Sequence, residues 1–341
     1  MTDVDHAAMP WATKPARTIK RGHFWITGDR LSIGGQTYQK GPMFVEWEAP
    51  EQVTQAFPIV LMHGGGFQST EWFDTPDGRP GWAQHFVEAG YVVLAVDRPG
   101  HGRSPFHTST MGAMTPPFSY EHGRHIYIPE KRIADHTQWP FSRDDEAAMD
   151  SFIAGYGPMP EDLANSEDMD ADRTARLLDM IGPAILVTHS ASGPSGWLIA
   201  DRRPGLVKAI VAVEPMGPPF ADIPNIGSLA WGLTACPLTF DPPLDTPEQV
   251  RAADPADHRL TNLTGLPILV VTGGASDFEA ASPPAVARLN AGGAAAQLMH
   301  LPDHGVHGNG HGLIYEKNSD EALQPVLAWL AAIATQHEWR L

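Results

Sequence analysis

The chain has 341 residues, enough to bury about three quarters of its unfolded surface in one or two units without help from disulfides or a structural metal. Its 42% hydrophobic content excludes a disordered chain, and 33 Gly with 32 Pro mark many turns and shaped loops. A net charge of −17 repels phosphate backbones and anionic lipid, so neither nucleic acid nor a membrane surface is expected as a partner.

Cys236 is the single cysteine and cannot close an internal disulfide, which permits a reducing compartment. Residues 1–22 carry no apolar run of leader type, and nowhere do eighteen apolar residues follow one another. These features predict a cytoplasmic protein.

In chain order, alternation at Phe44, Val45, Glu46 and Trp47 predicts antiparallel strands at one edge of a sheet. Short apolar runs at 58–62 (PIVLM), 91–97 (YVVLAVD), 184–188 (AILVT), 209–213 (AIVAV) and 268–272 (ILVVT) read as buried strands. Residues 81–89 and 321–334 place apolar side chains at helical spacing and read as covering helices. The pattern is α/β, a doubly wound and mostly parallel sheet. Two stretches interrupt it. Residues 105–170 hold no strand-like run but are rich in Met, aromatic residues and Pro, as an inserted lid would be. Residues 217–260 form a second insertion with Phe220, Trp231 and Phe240. The expected organisation is therefore one core half over 1–104, the lid over 105–170 and the second core half over 171–341.

The strongest local signal is Thr188-His189-Ser190-Ala191-Ser192-Gly193, between the strand AILVT and a helix-like segment. A tight strand-to-helix turn lifts the Ser190 hydroxyl above the sheet and aims the Ala191 amide at the same space. Thr188 and Ser192 stand where glycine is usual, and a plain helix N-cap serine is the competing reading. His63-Gly64-Gly65-Gly66 follows the strand PIVLM, and consecutive glycines leave backbone N–H groups uncovered. Gly65 and Ala191 are thus the expected oxyanion donors.

A serine nucleophile needs a base, and the base needs an acid. His300, His304, His307 and His311 cluster near the C-terminus; His311 is the preferred base, with His304 and His307 as alternatives. For the acid, Glu214 ends the strand AIVAV and Asp277 follows ILVVT. Asp277 holds the commoner position, but a glutamate ending a buried apolar strand is costly unless paired, which favours Glu214. A metal site from His304, His307 and His311, or from His122 and His125, is the weaker alternative, because no carboxylate-rich pattern accompanies them.

The ordered motifs HGGG, WFDTPDGRPGWAQHF, VDRPGHGRS, THSASG, VEPMGPPF and HGNGH resemble the α/β-hydrolase superfamily. More narrowly, they are similar to bacterial carboxylesterases whose catalytic glutamate follows the sixth strand, a group that includes sulfonylurea-herbicide de-esterifying enzymes. The resemblance runs over about 41–329 and is weakest through the lid. It implies Ser190, His311 and Glu214 as triad, Gly65 as an oxyanion donor, no cofactor, and the dimeric state such relatives often have. The expected activity is hydrolysis of neutral, apolar or aromatic esters. A lactonase using the same triad and a non-catalytic ligand-binding protein of the same fold are the alternatives.

Overall fold

Five uniformly apolar runs build the centre of a computed structural model that describes residue 12 and residues 14–341. Part of the segment over which no leader was expected, residues 1–11 and 13, lies outside the described residues. The main sheet has eight strands: β1 (Ile19–Ile26), β2 (Met43–Pro50), β3 (Ile59–Met62), β4 (Val93–Asp97), β5 (Ala184–His189), β6 (Val207–Val213), β7 (Pro267–Thr272) and β8 (Ala295–His300). Their spatial order is β1-β2-β4-β3-β5-β6-β7-β8. β1 and β2 are antiparallel, β2 meets β4 antiparallel, and all pairings from β4 to β8 are parallel.

Residues alternate along each inner strand between two cores, as the period of two requires. Ile59, Leu61, Ile185, Val187, Val211 and Val271 face one side, packed by α1 (Trp82–Glu88) and the last helix, through Trp82, Phe86, Val326 and Leu330. Val60, Met62, Leu186, Ile210 and Val270 face the other, where Leu177, Trp197 and Leu289 cover them. Burial on both faces explains why these strands read as continuous Val/Ile/Leu runs.

Between β4 and β5 the chain forms α2 (Tyr120–Tyr127), α3 (Glu146–Ile153) and α4 (Leu163–Ile181). α2, α3 and α4 each start at a side-chain cap, from Ser119, Asp145 and Asp162. α4 is the crossover helix and packs on α5 (Gly193–Arg202), which follows β5 after the three-residue turn Ser190–Ser192. α6 (Ser282–Ala291) and α7 (Ser319–Gln336) complete the cover. Residues 222–260 contribute two short two-stranded ladders outside the main sheet. No helix among the described residues is long and apolar enough to cross a membrane.

Candidate active site

The carboxyl ends of β3, β5, β6 and β7 deliver the loops that meet around Ser190. Register sets their height: Met62 lies beside Thr188, His189 beside Val213, and Val213 beside Val271. Ser190 turns the chain at φ 54°, in the left-handed region that costs a non-glycine side chain energy, and α5 then carries the chain away.

The two residues flanking this elbow where glycine is usual are accommodated differently. Thr188 is fully buried, and its methyl lies 3.1 Å from where a Cβ on Gly196 would sit, so the small residue stands on the helix instead of the strand. Ser192 ties the bend together: its Oγ accepts from the His189 N–H at 3.0 Å and lies 2.9 Å from the carbonyls of Met62 and His189. The Met216 N–H donates to the Ser190 carbonyl at 2.9 Å, which fastens the elbow to the chain just after Glu214.

His311 Nε2 lies 2.9 Å from Ser190 Oγ, and His311 Nδ1 lies 3.4 Å from Glu214 Oε2. Glu214 is fully buried at φ 47°; its Oε1 accepts from the Gly273 N–H at 2.6 Å and its Oε2 from Ser276 Oγ. Burial pushes the Glu214 carboxyl up to about 8 against those two donors. Burial also drives the His311 imidazole well below its ordinary value, with His189 acting in the same direction. Phe278 stacks on the His311 ring at 4.0 Å and Tyr127 lies at 5.6 Å, which fixes the ring's plane.

The structure does not bring the alternative residues to Ser190. Asp277 is bound by Lys131 at 2.8 Å and Arg132 at 3.1 Å, whose charges hold its carboxyl below the usual range despite the opposing effect of burial. His304 and His307 are exposed, and His122 packs edge-on against Phe118. Among the described residues no group of three or more His, Cys, Asp or Glu is placed to hold a metal ion.

Gly65 and Ala191 are neighbours: a Cβ built on Gly65 would lie 3.4 Å from that of Ala191 and 2.8 Å from Met159 Sδ. The peptide between Gly64 and Gly65 is held by a residue that sequence reasoning missed as a functional group. His63 is fully buried and kept neutral by burial; its Nε2 accepts from the Arg98 N–H at 2.9 Å, so Nδ1 carries the hydrogen and donates to the Gly64 carbonyl at 2.7 Å. That carbonyl shares a plane with the Gly65 N–H, so His63 fixes where the Gly65 donor points. Glu71 and His189 were also missed. Both are buried, the Gly64 N–H donates to Glu71 Oε1 at 3.1 Å, and His189 Nδ1 lies 3.2 Å from the same oxygen. The sequence signals available were the adjacency of His63 to the glycines and of His189 to Ser190.

A family model described as alpha/beta hydrolase fold matches residues 58–257, more than half of the chain. A fungal protein, "Probable secreted lipase phiG" from Fungal sp. (strain ATCC 74256), is 34% identical over 323 residues, covering 87% of this chain and 88% of the relative. The chain belongs to the α/β-hydrolase family. A solved bacterial esterase shares the fold of this α/β hydrolase with a TM-score of 0.67 at 24% identity, covering 94% of this chain and 98% of the other. The expected α/β fold class stands.

Proposed function

We propose that this α/β hydrolase is a serine carboxylesterase acting on neutral, apolar or aromatic esters. The observation that carries the reading is the 2.9 Å approach of His311 Nε2 to Ser190 Oγ with Glu214 behind the ring. Ser190 Oγ attacks the ester carbonyl carbon as His311 takes its proton, and Glu214 steadies the imidazolium. The Gly65 and Ala191 amides receive the charge on the carbonyl oxygen. His311 then protonates the departing alcohol, and water repeats the sequence on the acyl-enzyme to release the acid.

Residues 105–162 act as the lid over this site; the last part of the expected insertion, 163–170, instead begins the crossover helix α4. Tyr127, Phe118 and Met159 come from the lid, beside His311, Gly66 and Gly65 respectively, and give the substrate an apolar border. An overall charge of −17 disfavours polyanionic esters. The cytosol is the proposed compartment; the relative is described as probably secreted, and fractionation of the producing cell decides between them.

The test is hydrolysis of a series of short-chain and aromatic nitrophenyl esters. Turnover by the wild type and its loss in Ser190→Ala support the reading. Turnover that survives Ser190→Ala, or binding of esters without turnover, overturns it.

A further inference from the structure

His189 is held between two acceptors. Its Nδ1 lies 3.2 Å from Glu71 Oε1, and its Nε2 lies 3.1 Å from the His311 backbone carbonyl. Both His189 and Glu71 side chains are completely buried, so water cannot make good a missing hydrogen bond. A carbonyl oxygen accepts only, so Nε2 needs a proton there. Glu71 Oε1 already accepts from the Gly64 N–H at 3.1 Å, and Glu71 Oε2 has no partner among the described residues. A neutral imidazole protonated only at Nδ1 would set a bare Nε2 lone pair against the His311 carbonyl. One protonated only at Nε2 would set its Nδ1 lone pair against the carboxylate.

We infer that His189 carries protons on both ring nitrogens, paired with the Glu71 carboxylate, and that the pair is a positioning unit for the proposed esterase site. It joins three parts of that site. Through His189 it holds the residue before Ser190; through Nε2 it holds the backbone of His311; through Glu71 Oε1 it holds Gly64, whose carbonyl belongs to the peptide bearing the Gly65 N–H. The His189 and His311 rings lie 5.0 Å apart, so a cationic His189 opposes protonation of the base and keeps it free to accept the Ser190 proton.

Several groups face these two rings. Around His189 stand Glu71 and Trp72 from the short turn at 69–72, His311, and Tyr315 at 6.4 Å, with His63 close enough to feel its charge. Around His311 stand Glu214, Ser190, Phe278 and Tyr127. Among the carboxylates of the described residues only Glu71 touches His189, and only Glu214 touches His311.

The activity arm of the test rests on the proposed esterase reading; the spectroscopic arm does not. Nitrogen-15 correlation spectra of histidine-labelled full-length Ser190→Ala at pH 7 should show one buried imidazole with both nitrogens protonated, which disappears in the Ser190→Ala, Glu71→Gln double variant. A His189 ring with one bare nitrogen overturns the inference whether or not the protein hydrolyses esters. In the activity arm, Glu71→Gln should lower kcat by tenfold or more with a smaller change in KM, and should move the acid limb of the pH profile upward by about half a unit or more. Loss of activity with an unmoved acid limb would reduce the pair to packing and overturn the positioning role.

Discussion

Ser190 and His311 stand 121 residues apart in the chain, and the fold places Ser190 Oγ 2.9 Å from His311 Nε2. Neither side chain chooses this geometry alone. Ser190 is raised by a left-handed backbone at the end of β5, and His311 is turned by a buried carboxylate at the end of β6. The first prediction concerns that carboxylate. Glu214→Gln should lower kcat by about a thousandfold or more on a chromogenic ester, because the amide neither fixes the tautomer nor supports the imidazolium. Asp277→Asn should leave kcat within about threefold, since Asp277 meets Lys131 and Arg132 and not the base. Steady-state kinetics on the two variants checks the assignment.

The proposed oxyanion donor on Gly65 depends on open space. A methyl at Gly65 would press on Met159 Sδ at 2.8 Å, closer than real contacts allow, and would touch Ala191. Gly65→Ala should therefore lower kcat by about tenfold to a hundredfold, with KM changing less. Adding Met159→Ala removes the thioether in the way and should restore part of the loss. A double variant no better than the single one would locate the damage in the backbone instead.

The pH dependence of activity follows from the proposed base. Burial holds the His311 imidazole well below its ordinary value, so it is already free as a base at pH 6.5. The acid limb of kcat/KM should lie below that pH. A limb centred at 7 would contradict the burial argument for His311; one near 8 would report the Glu214 carboxyl, which burial raises to about 8.

Stability against pH has a separate probe. Glu167 on α4 is buried; burial raises its carboxyl to about 8 from 4.5 despite the Ala235 and Cys236 N–H groups that donate to it, and Glu167 Oε1 has no partner among the described residues. The folded state thus binds more protons than the unfolded chain between pH 4.5 and 8, and this contribution to stability is lost as pH rises through that window. Glu167→Gln removes the titration while keeping an acceptor for Ala235. Relative to wild type it should gain on the order of 1 kcal/mol or more in unfolding free energy between pH 5 and pH 8. Urea unfolding at the two pH values measures the difference.

The inner strands were legible because both faces are buried, which leaves β-branched runs without alternation. The strand Ala295–His300 was not: AAQLMH is partly exposed at the sheet edge, and its composition suits a helix as well as a strand. The hairpin of Asp29–Ile33 and Gln36–Lys40 carried a signal in Gly34-Gly35, both at positive φ, but its strands are too polar to stand out by hydrophobicity. At the site, Ser190 and the glycines were visible because local backbone geometry needs particular residues at fixed offsets. Glu214 could be preferred only on the cost of an unpaired buried carboxylate, and its contact with His311 emerges from the fold. Glu71 and His189 are 118 residues apart, and their relation exists only after β3 and β5 pair.

The central claim is that Ser190 is the nucleophile, and covalent capture addresses it most directly. The protein is treated with a fluorophosphonate and digested, and the modified peptide is located by mass spectrometry beside residual esterase activity. One label per chain on Ser190, rising in step with inactivation and absent from Ser190→Ala, is the expected result. Inactivation with the label on another side chain, or ester turnover that continues with Ser190 fully labelled, would contradict it.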